Sequence, residues 1–422
     1  MKYFFKQIAL KPKAQNLSGF AKREASSQTL GIESLHLSIL WLKYEDDNIV
    51  FIALDSLYIP TAMALPTYKL LEKLFNLKPH QVIFNASHTH SAPAIEEIFD
   101  KVVDVAYIEY LNKSIESIFS KKLHFEEGFL DIQSLKLEKN LFISRRQKGR
   151  DIRRFFLKEK MLLLPNIEKE IDRNLKLFIL FDRQRDIKLI VYSFACHPVF
   201  NKNEDISSDF IGQISQYLED SLGVKSIFLQ GFLGDIRPAY ITSDKSKVNS
   251  INKLKLLFNK SVFRPYDKSY FDFFTQSIAQ EIIKYTKQKF LEYKQEEKSF
   301  KSISHFYDLT SSTGLSMRRF EIKYLVLEKY LFISIPAEVT SAYALHISKT
   351  FPHINFIFLG LSDTIIGYLP FYEEASEGGY EVHSAPNYAW DSALSQISLK
   401  NFYQQMLEDI ASLIKDEESI SC

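Results

Sequence analysis

Cysteine is almost absent from this sequence. Its 422 residues include two cysteines, Cys196 within an apolar run and Cys422 at the last position. So few cysteines exclude a disulfide-rich scaffold and a zinc finger built from thiolates. Any metal ion would therefore be bound by His, Asp, Glu or Tyr side chains. Glycine and proline are also scarce, with 13 of each, which excludes fibrous and low-complexity proteins.

The sequence also lacks an excess of charge of either sign. It has 53 Lys and Arg residues against 52 Asp and Glu residues, a formal net charge of +1. The missing basic excess argues against a nucleic-acid partner, and the missing acidic excess argues against a disordered acidic chain. Because 46% of the residues are hydrophobic, the chain can form a large core.

Long uncharged hydrophobic runs are missing as well. No segment reaches the roughly 18 to 20 apolar residues that are needed to cross a bilayer. Near the N-terminus, Lys6 and Lys11 interrupt the segment that would have to form the apolar core of a secretory signal. These absences predict a soluble cytoplasmic protein with no transmembrane segment.

The hydrophobic pattern alternates between the periods of strands and helices. Strands are predicted at 35–44, 48–55, 80–86, 175–182, 187–196, 225–230, 319–327, 330–335 and 354–359. Helices are predicted at 66–77, 103–122, 207–222, 272–297, 338–350 and 392–416. Two segments rich in Lys, Arg, Ser and Asn, 147–170 and 241–268, are interpreted as surface insertions. This order predicts one large α/β domain over residues 1–422, with mixed β-sheets flanked by helices.

Three of the predicted strands end in side chains that can bind a metal ion. His88 and His90 follow the strand 80–86, and residues two apart on an extended chain point the same way. His197 follows a second apolar strand. Glu338 follows a third, at the start of a predicted helix. Strand ends of an α/β protein commonly form its active-site crevice.

Each of these positions also has a simpler explanation. The two neighbouring histidines could lie in a surface turn, His197 could be structural, and the helix dipole alone favours Glu338 in a first helical turn. The repetition is more informative than any single position. Two or three histidines with one carboxylate form the usual ligand set of a catalytic zinc ion, which generates hydroxide near neutral pH and polarises a carbonyl. The residues therefore favour metal-assisted hydrolysis.

Several short motifs along the chain resemble those of one enzyme family. In chain order they are Gly19-Phe20-Ala21, Gly31-Ile32 with the strand ending at Asp55, His88-Thr89-His90-Ser91-Ala92-Pro93, Ile143-Ser144-Arg145-Arg146, Phe194-Ala195-Cys196-His197-Pro198, Ser207-Ser208-Asp209-Phe210-Ile211-Gly212, Gly234-Asp235-Ile236-Arg237-Pro238, Pro336-Ala337-Glu338, and the block from Gly360 through Tyr368 to Glu381. In this order they resemble the neutral (non-lysosomal) ceramidase family, zinc-dependent hydrolases of the N-acyl bond of ceramide. The chain looks like a divergent member that matches the N-terminal zinc-hydrolase domain.

The resemblance implies a role for each matched residue. It implies one zinc ion per chain with four ligands: His88, His197, Glu338 and Tyr368. It places His90 close to the bound water or the developing oxyanion, and it implies that Arg145 and Tyr380 orient the substrate or donate to its carbonyl oxygen. Gly19, Asp235 and Arg237 are expected to contribute to substrate binding. Gly19 would allow the backbone to approach the substrate closely.

Three departures from the family pattern predict a changed substrate. Arg237 stands where the family has a serine that serves substrate binding and catalysis, and Gly367 stands where it has a histidine. The family's C-terminal immunoglobulin-like domain is missing. An anionic, smaller or lipid-like N-acyl compound is therefore expected in place of ceramide, because a guanidinium can bind a carboxylate or phosphate bidentately.

The reaction itself stays open at the level of the sequence. Hydrolysis of a linear amide by metal-activated water is the leading interpretation. A metal-dependent esterase, an acyl-transfer or amide-forming enzyme, and a non-catalytic binding protein on the same scaffold are the alternatives. The sequence does not indicate the oligomeric state.

Overall fold

The computed structural model describes residues 1–12, 16–19, 34–96, 102–137, 139–150, 159–202, 205–289 and 300–416. Several predicted features lie outside these ranges: Phe20-Ala21, Gly31-Ile32, Cys422, residues 151–158 of the first predicted insertion, and residues 290–297 of a predicted helix.

Strands and helices alternate along the described parts of the chain. The strands are β1 (Lys2–Leu10), β2 (Leu35–Tyr44), β3 (Asp47–Leu54), β4 (Val82–Ala86), β5 (Glu126–Lys136), β6 (Phe142–Arg150), β7 (Glu159–Asn166), β8 (Asn174–Asp182), β9 (Ile187–Phe194), β10 (Lys225–Gln230), β11 (Ile236–Pro238), β12 (Ile241–Thr242), β13 (Val262–Phe263), β14 (Phe300–Thr310), β15 (Met317–Leu327), β16 (Tyr330–Ser334), β17 (Glu338–Val339), β18 (Asn355–Leu359) and β19 (Tyr368–Leu369). The helices are α1 (Thr61–Phe75), α2 (Val105–Phe119), α3 (Phe210–Leu222), α4 (Ser250–Lys255), α5 (Lys268–Lys289), α6 (Ser341–Thr350), α7 (Tyr372–Glu377), α8 (Tyr380–His383) and α9 (Gln396–Asp416). Short 3₁₀ turns span Pro79–Gln81, Lys245–Lys247 and Ala385–Tyr388.

Two mixed sheets form the centre of the molecule. The larger has eight strands in the order β10-β9-β8-β5-β1-β2-β3-β4, and the smaller has the order β14-β15-β16-β18. Most neighbours are antiparallel, but the pairs β3/β4, β9/β10 and β16/β18 are parallel. A three-stranded sheet, β11-β6-β7, and two short pairs, β12-β13 and β17-β19, complete the described sheets.

The two large sheets pack face to face. Period-two alternation sends one set of side chains from each strand into the space between the sheets. The Phe332 ring of β16, for example, lies 6.1 Å from Phe51 of β3 and 5.5 Å from Phe178 of β8. The opposite set of side chains contacts helices, so the layers run helix, sheet, sheet, helix.

Helices cover the outer faces of both sheets. On the larger sheet, Trp41 of β2 packs edge-on against Phe75 of α1 and Phe119 of α2, with ring centroids 5.0 and 6.4 Å away. Farther along the same face α3 and α5 share one hydrophobic cluster with β8 and β9. Helices α6 and α9 pack on the smaller sheet. The predicted α/β fold of mixed sheets flanked by helices is confirmed.

Two of the differences between predicted and observed helix boundaries have a clear physical cause. Helix α1 begins at Thr61 and contains Pro66, which the sequence placed at its start. The carbonyl of Ala62, which loses its helical donor to the proline, accepts a hydrogen bond from Asn112 Nδ2 at 3.0 Å. The helix predicted over 338–350 begins at Ser341, because Glu338 and Val339 pair with β19 as a short strand.

The two predicted insertions contain regular structure where they are described. The first includes the end of β6 and all of β7, and the second contains β12, α4 and β13. Adjacent charged residues on β6 and at the start of β7 conceal the period of a strand in the sequence. That both segments are insertions into an otherwise continuous domain stays a prediction.

Strand ends from both large sheets are tied together by two buried amides. Asn85 of β4 donates from Nδ2 to the Gly360 carbonyl at 2.8 Å, and its Oδ1 accepts from the Gln230 backbone N–H at 2.7 Å. Gln230 at the end of β10 donates from Nε2 to the carbonyls of Ser87 at 2.8 Å and Cys196 at 3.1 Å. These carbonyls belong to the residues that immediately precede His88 and His197. The ends of the parallel strands therefore converge at one rim of the molecule.

In the described part of the chain, no helix has the length and hydrophobicity that a membrane-spanning helix requires.

Candidate metal centre and active site

His88 is held in a backbone conformation that few non-glycine residues adopt. Its φ angle is 67°, in the left-handed region. The ring nitrogen Nδ1 lies 3.0 Å from the Leu57 carbonyl oxygen. Because a carbonyl only accepts, Nδ1 must carry the proton, which leaves Nε2 with an exposed lone pair. Backbone strain of this kind is concentrated at functional sites.

His197 shows the same tautomer. Its Nδ1 lies 2.9 Å from the Ile236 carbonyl oxygen and therefore donates to it. Its Nε2 accepts a hydrogen bond from Arg145 Nη1 at 3.2 Å. Burial and the adjacent Arg145 cation lower the pKa of His197 to about 3, so its ring is neutral at neutral pH.

Glu338 brings a carboxylate oxygen to both of these nitrogens. Its Oε2 lies 3.4 Å from His88 Nε2 and 3.3 Å from His197 Nε2, and all three side chains are 1% exposed. The ligand atoms of the three residues lie within 4.8 Å of one another.

The three converging groups need a positive charge between them. With both Nδ1 atoms acting as donors, two ring nitrogens and a carboxylate oxygen face one another in a buried space. Arg145 donates to His197 Nε2, but among the described residues His88 Nε2 has no hydrogen-bond partner, which is unfavourable unless a cation binds there. Neutral imidazoles with one carboxylate form the donor set of catalytic zinc sites. The residues present therefore fit a divalent metal ion, and they are the ones that the sequence singled out at three strand ends.

Two tyrosines that the sequence did not identify contact the other oxygen of Glu338. Oε1 accepts hydrogen bonds from Tyr58 Oη at 2.7 Å and from Tyr388 Oη at 2.9 Å. The two hydroxyls are also 2.9 Å apart. Because Oε1 is engaged by these phenols, Oε2 is the oxygen that faces the histidines.

Tyr368, the predicted fourth ligand, lies beside the same carboxylate. It stands opposite Glu338 in the parallel pair β17/β19. Its hydroxyl oxygen accepts a hydrogen bond from Arg145 Nη2 at 2.9 Å. Burial raises the pKa of Tyr368 well above its usual value, so the hydroxyl is protonated at neutral pH in the absence of a metal. Ligation by Tyr368 stays a prediction.

Arg145 is fixed on all sides. Besides its contacts with His197 and Tyr368, it donates from Nε to Glu381 Oε1 at 2.8 Å and from Nη2 to the Gly234 carbonyl at 2.9 Å. Glu381 accepts with its second oxygen from Arg146 Nη1 at 2.8 Å. One buried carboxylate thus holds two adjacent arginines, and it places the Arg145 guanidinium against the candidate metal ligands.

His90 lies beside the cluster, as the sequence predicted, but for a different reason. The chain at His88 is not extended, so the alternation argument for a shared face is wrong. The His90 ring centroid is nevertheless 4.8 Å from that of His88 and 6.2 Å from that of His197. Gly19 packs against His90: a Cβ atom on Gly19 would come within 2.4 Å of His90 Nδ1. The close approach at this glycine is therefore to His90.

Tyr380 lies at the outer edge of the site. Its ring is 5.5 Å from the ring of Tyr368, and Arg145 Cζ is 5.5 Å from its centroid. The side chain is 37% exposed. Beside it is a cavity of about 860 Å³, lined in part by Gly379, Met161 and Leu254. Among the described residues, Tyr380 lines this cavity. The three candidate metal ligands do not line it, so the cavity lies next to the candidate metal centre and does not contain it.

Asp235 has each of its oxygens engaged within the protein. Oδ2 accepts from Ser144 Oγ and Lys169 Nζ, both at 2.9 Å, and Oδ1 accepts from the Ser341 backbone N–H at 2.7 Å. Asp235 therefore joins β6 to the start of α6. A direct contact with substrate, as the resemblance implies, stays a prediction.

Arg237 lies on β11 with its guanidinium over an aromatic ring. Its Cζ is 4.6 Å from the centroid of Phe263, a residue of the second predicted insertion. The side chain is partly exposed. Burial and the nearby Arg145 lower the pKa of Arg237 to about 10, so it remains a cation at neutral pH.

The functional residues that the sequence missed are those without a local signal. Tyr58 follows the end of β3, so the reasoning that selected the histidines could have included it. Tyr388 and Glu381 lie in the C-terminal part of the chain, far in sequence from their partners. Gln230 ends a strand with a polar side chain, which is a weak signal in the sequence.

Comparison with known proteins finds similarity at the level of the fold alone. No protein-family model matches the sequence, and no curated protein matches it. The fold is similar to that of the neutral ceramidase from Pseudomonas aeruginosa, with a TM-score of 0.68 and 14% identity over 96% of this chain and 73% of that chain. A second solved structure, a ceramidase complexed with C2, gives a TM-score of 0.69 with 14% identity over 98% and 75% of the two chains.

Proposed function

We propose that the protein is a zinc-dependent hydrolase that cleaves a linear amide (N-acyl) bond, with one zinc ion per chain and a substrate other than ceramide. One observation carries the proposal. His88 Nε2, His197 Nε2 and Glu338 Oε2 converge in a buried space, with their ligand atoms within 4.8 Å of one another. The similarity of the fold to two ceramidases supports an amide as the substrate class.

His88, His197 and Glu338 would hold the metal ion, with Tyr368 as the fourth ligand. When bound, zinc polarises a carbonyl group and makes water acidic enough to yield hydroxide near neutral pH. The protein's own contribution is to fix the donors: backbone carbonyls set both histidine tautomers, and two phenols orient the carboxylate. Such partners of the ligands sustain metal affinity and geometry.

The remaining side chains would bind and orient the substrate. The Arg145 guanidinium, held by Glu381, supplies a fixed positive charge next to the centre, where an oxyanion would develop during acyl transfer. His90 lies close enough to the ligands to exchange a proton with the attacking or leaving group. Tyr380 reaches both Arg145 and the cavity, so its hydroxyl can contact a substrate that extends outward.

The proposal is tested by metal analysis together with a matched substrate panel. The purified protein is expected to contain one zinc per chain and to hydrolyse N-octanoyl amides. Glu338→Gln, which keeps the shape of the side chain, is expected to lose zinc and turnover. His346→Ala, on helix α6, is the control and should keep both.

Other outcomes of the same panel would assign the alternatives. Turnover of octanoyl esters but not amides would indicate an esterase, and amide formation from free acid and amine would indicate the reverse reaction. A protein that binds no zinc and cleaves neither series would contradict the proposal.

A further inference from the structure

Within the ranges that the structure describes, Arg237 differs from the other arginines at the candidate site in lacking an acidic partner. Arg145 and Arg146 share the Glu381 carboxylate, each at 2.8 Å. Among the residues that the structure describes, the Arg237 guanidinium makes neither an ion pair nor a hydrogen bond; it packs on the Phe263 ring. It is unfavourable to bury part of a charged guanidinium without an anionic partner. The arrangement at Arg237 is therefore best explained by an anion that binds there.

The position of Arg237 is close to the candidate metal centre. It directly follows Ile236, whose carbonyl accepts from His197 Nδ1. In the β11/β6 pairing Arg237 stands opposite Ile143, two residues before Arg145. Arg237 therefore lies beside the stretch of β6 that leads into Arg145. The pairing of β6 with β7 is irregular between Ser144 and Arg146, so Arg145 and Arg146 can both reach Glu381.

A second cation adds to the positive charge of this region. Lys202 is an exposed residue of the loop that follows His197. Although the residue as a whole is exposed, burial of its amine and the nearby Arg237 lower the pKa of Lys202. Arg145 exerts the same effect on Arg237.

We propose that Arg237 binds an anionic group of the substrate, a carboxylate or another compact oxyanion, next to the amide that is cleaved. This inference deepens the proposed function and depends on it for the position of the scissile bond. Phe263 supports one face of the guanidinium and leaves its N–H edges for a bidentate anion. The substrate class would then be an N-acyl compound with a negative charge on its acyl or its amine half.

The test uses three probes that differ in one group. The neutral probe is N-ethyloctanamide. Two derivatives carry an added carboxylate, one at the end of the ethyl group and one at the end of the octanoyl chain. Affinities for the zinc-loaded, full-length protein are measured calorimetrically, and turnover is measured separately. Binding is the primary readout, so loss of hydrolysis alone does not decide the question.

We expect at least one carboxylate probe to bind about tenfold more tightly than the neutral probe, which is typical of hydrogen bonds to a charged group. Arg237→Gln should remove this preference, and Arg237→Lys should restore part of it. Arg319→Gln is the matched control, because Arg319 also packs on a phenylalanine, with Cζ 5.1 Å from the Phe306 ring. This control should leave the preference intact.

Two results would overturn the inference. One is equal affinity of the native protein for all three probes. The other is a preference that persists in Arg237→Gln, which would assign the anion to the metal or to another cation. If Arg237→Gln fails to fold, Arg237→Lys decides: a preference as large as that of the native protein would overturn the inference, because a lysine cannot bind a carboxylate bidentately. Preferential binding without hydrolysis of any probe would count against the proposed function and leave the anion site standing.

Discussion

Glu338 serves two sets of partners with its two oxygens. Oε1 accepts from Tyr58 and Tyr388, while Oε2 lies beside the two histidine nitrogens. The two phenols orient the carboxylate and occupy Oε1 with hydrogen bonds, so Oε2 would be the oxygen that binds a metal ion. None of this is visible in the sequence, because Tyr58 lies 280 residues from Glu338.

Removing one of these hydroxyls should weaken metal binding without removing a ligand. We expect Tyr388→Phe to lower zinc affinity about 10- to 100-fold, the usual effect of losing a partner of a metal ligand. Competition with a chromophoric chelator measures the change. Tyr343→Phe is the control, since it also removes a buried hydroxyl, one that lies 3.3 Å from the Pro370 carbonyl and away from Glu338. Equal affinities in the two variants would contradict the proposed role.

Gly19 provides a second prediction at the level of single residues. Its φ angle is +62°, and an added Cβ would come within 2.4 Å of the His90 ring. Gly19→Ala should therefore displace His90 and lower turnover at least about tenfold, with zinc content unchanged. Gly314→Ala is the control: Gly314 has φ +76° with no atom within 4 Å of an added Cβ. Both variants should lose about 1 kcal/mol of stability from left-handed backbone, so an equal loss of activity in both would refute the specific contact.

The ends of the strands are the elements that assemble the site. The sequence predicted most of these strands and the three polar positions that follow them, because their cores are continuous runs of apolar residues. It did not predict β1, β5, β6, β7 or β14, in which charged and apolar residues alternate irregularly. It also could not give the distances between strand ends, which depend on the packing of two sheets whose strands are far apart in the chain.

Gln230 should control how the histidine loops are placed. Its amide binds the carbonyls that precede His88 and His197, and it is fully buried. In Gln230→Leu these carbonyls lose their donor, which we expect to cost about 1–3 kcal/mol of unfolding free energy and to weaken zinc binding. Urea denaturation and chelator competition measure both effects. Gln216→Leu, on the exposed face of α3, should change neither; zinc affinity unchanged in Gln230→Leu would argue against a role in positioning.

Across the whole molecule, buried charges link the candidate site to the surrounding elements. Lys169 bridges Asp235 and Glu374, at 2.9 and 2.5 Å, and Arg146 joins Glu374 to Glu381. The charge balance of the chain gave no sign of this network, because composition does not show which charges are buried.

The network predicts a specific loss of stability in acid. Although burial opposes ionisation, Lys169 and the Ser341 N–H lower the pKa of Asp235 from 3.8 to about 2. A lowered native pKa adds stability above the unfolded value, about 2 kcal/mol here, and that stability is lost as the pH falls from about 4 to about 2. The difference in unfolding free energy between the native protein and Asp235→Asn should therefore be constant above about pH 5 and shrink below about pH 4. A difference that does not change with pH would show that Asp235 acts only through packing.

The fold is well suited to place a metal between distant parts of the chain, since the candidate ligands come from loops after both large sheets. The most direct test is a crystal structure of the zinc-loaded protein with anomalous data at the zinc edge. We predict one peak per chain, within about 2.0–2.2 Å of His88 Nε2, His197 Nε2 and Glu338 Oε2. No peak among these three atoms, or a zinc ion bound elsewhere, would contradict the metal centre and the hydrolase built on it.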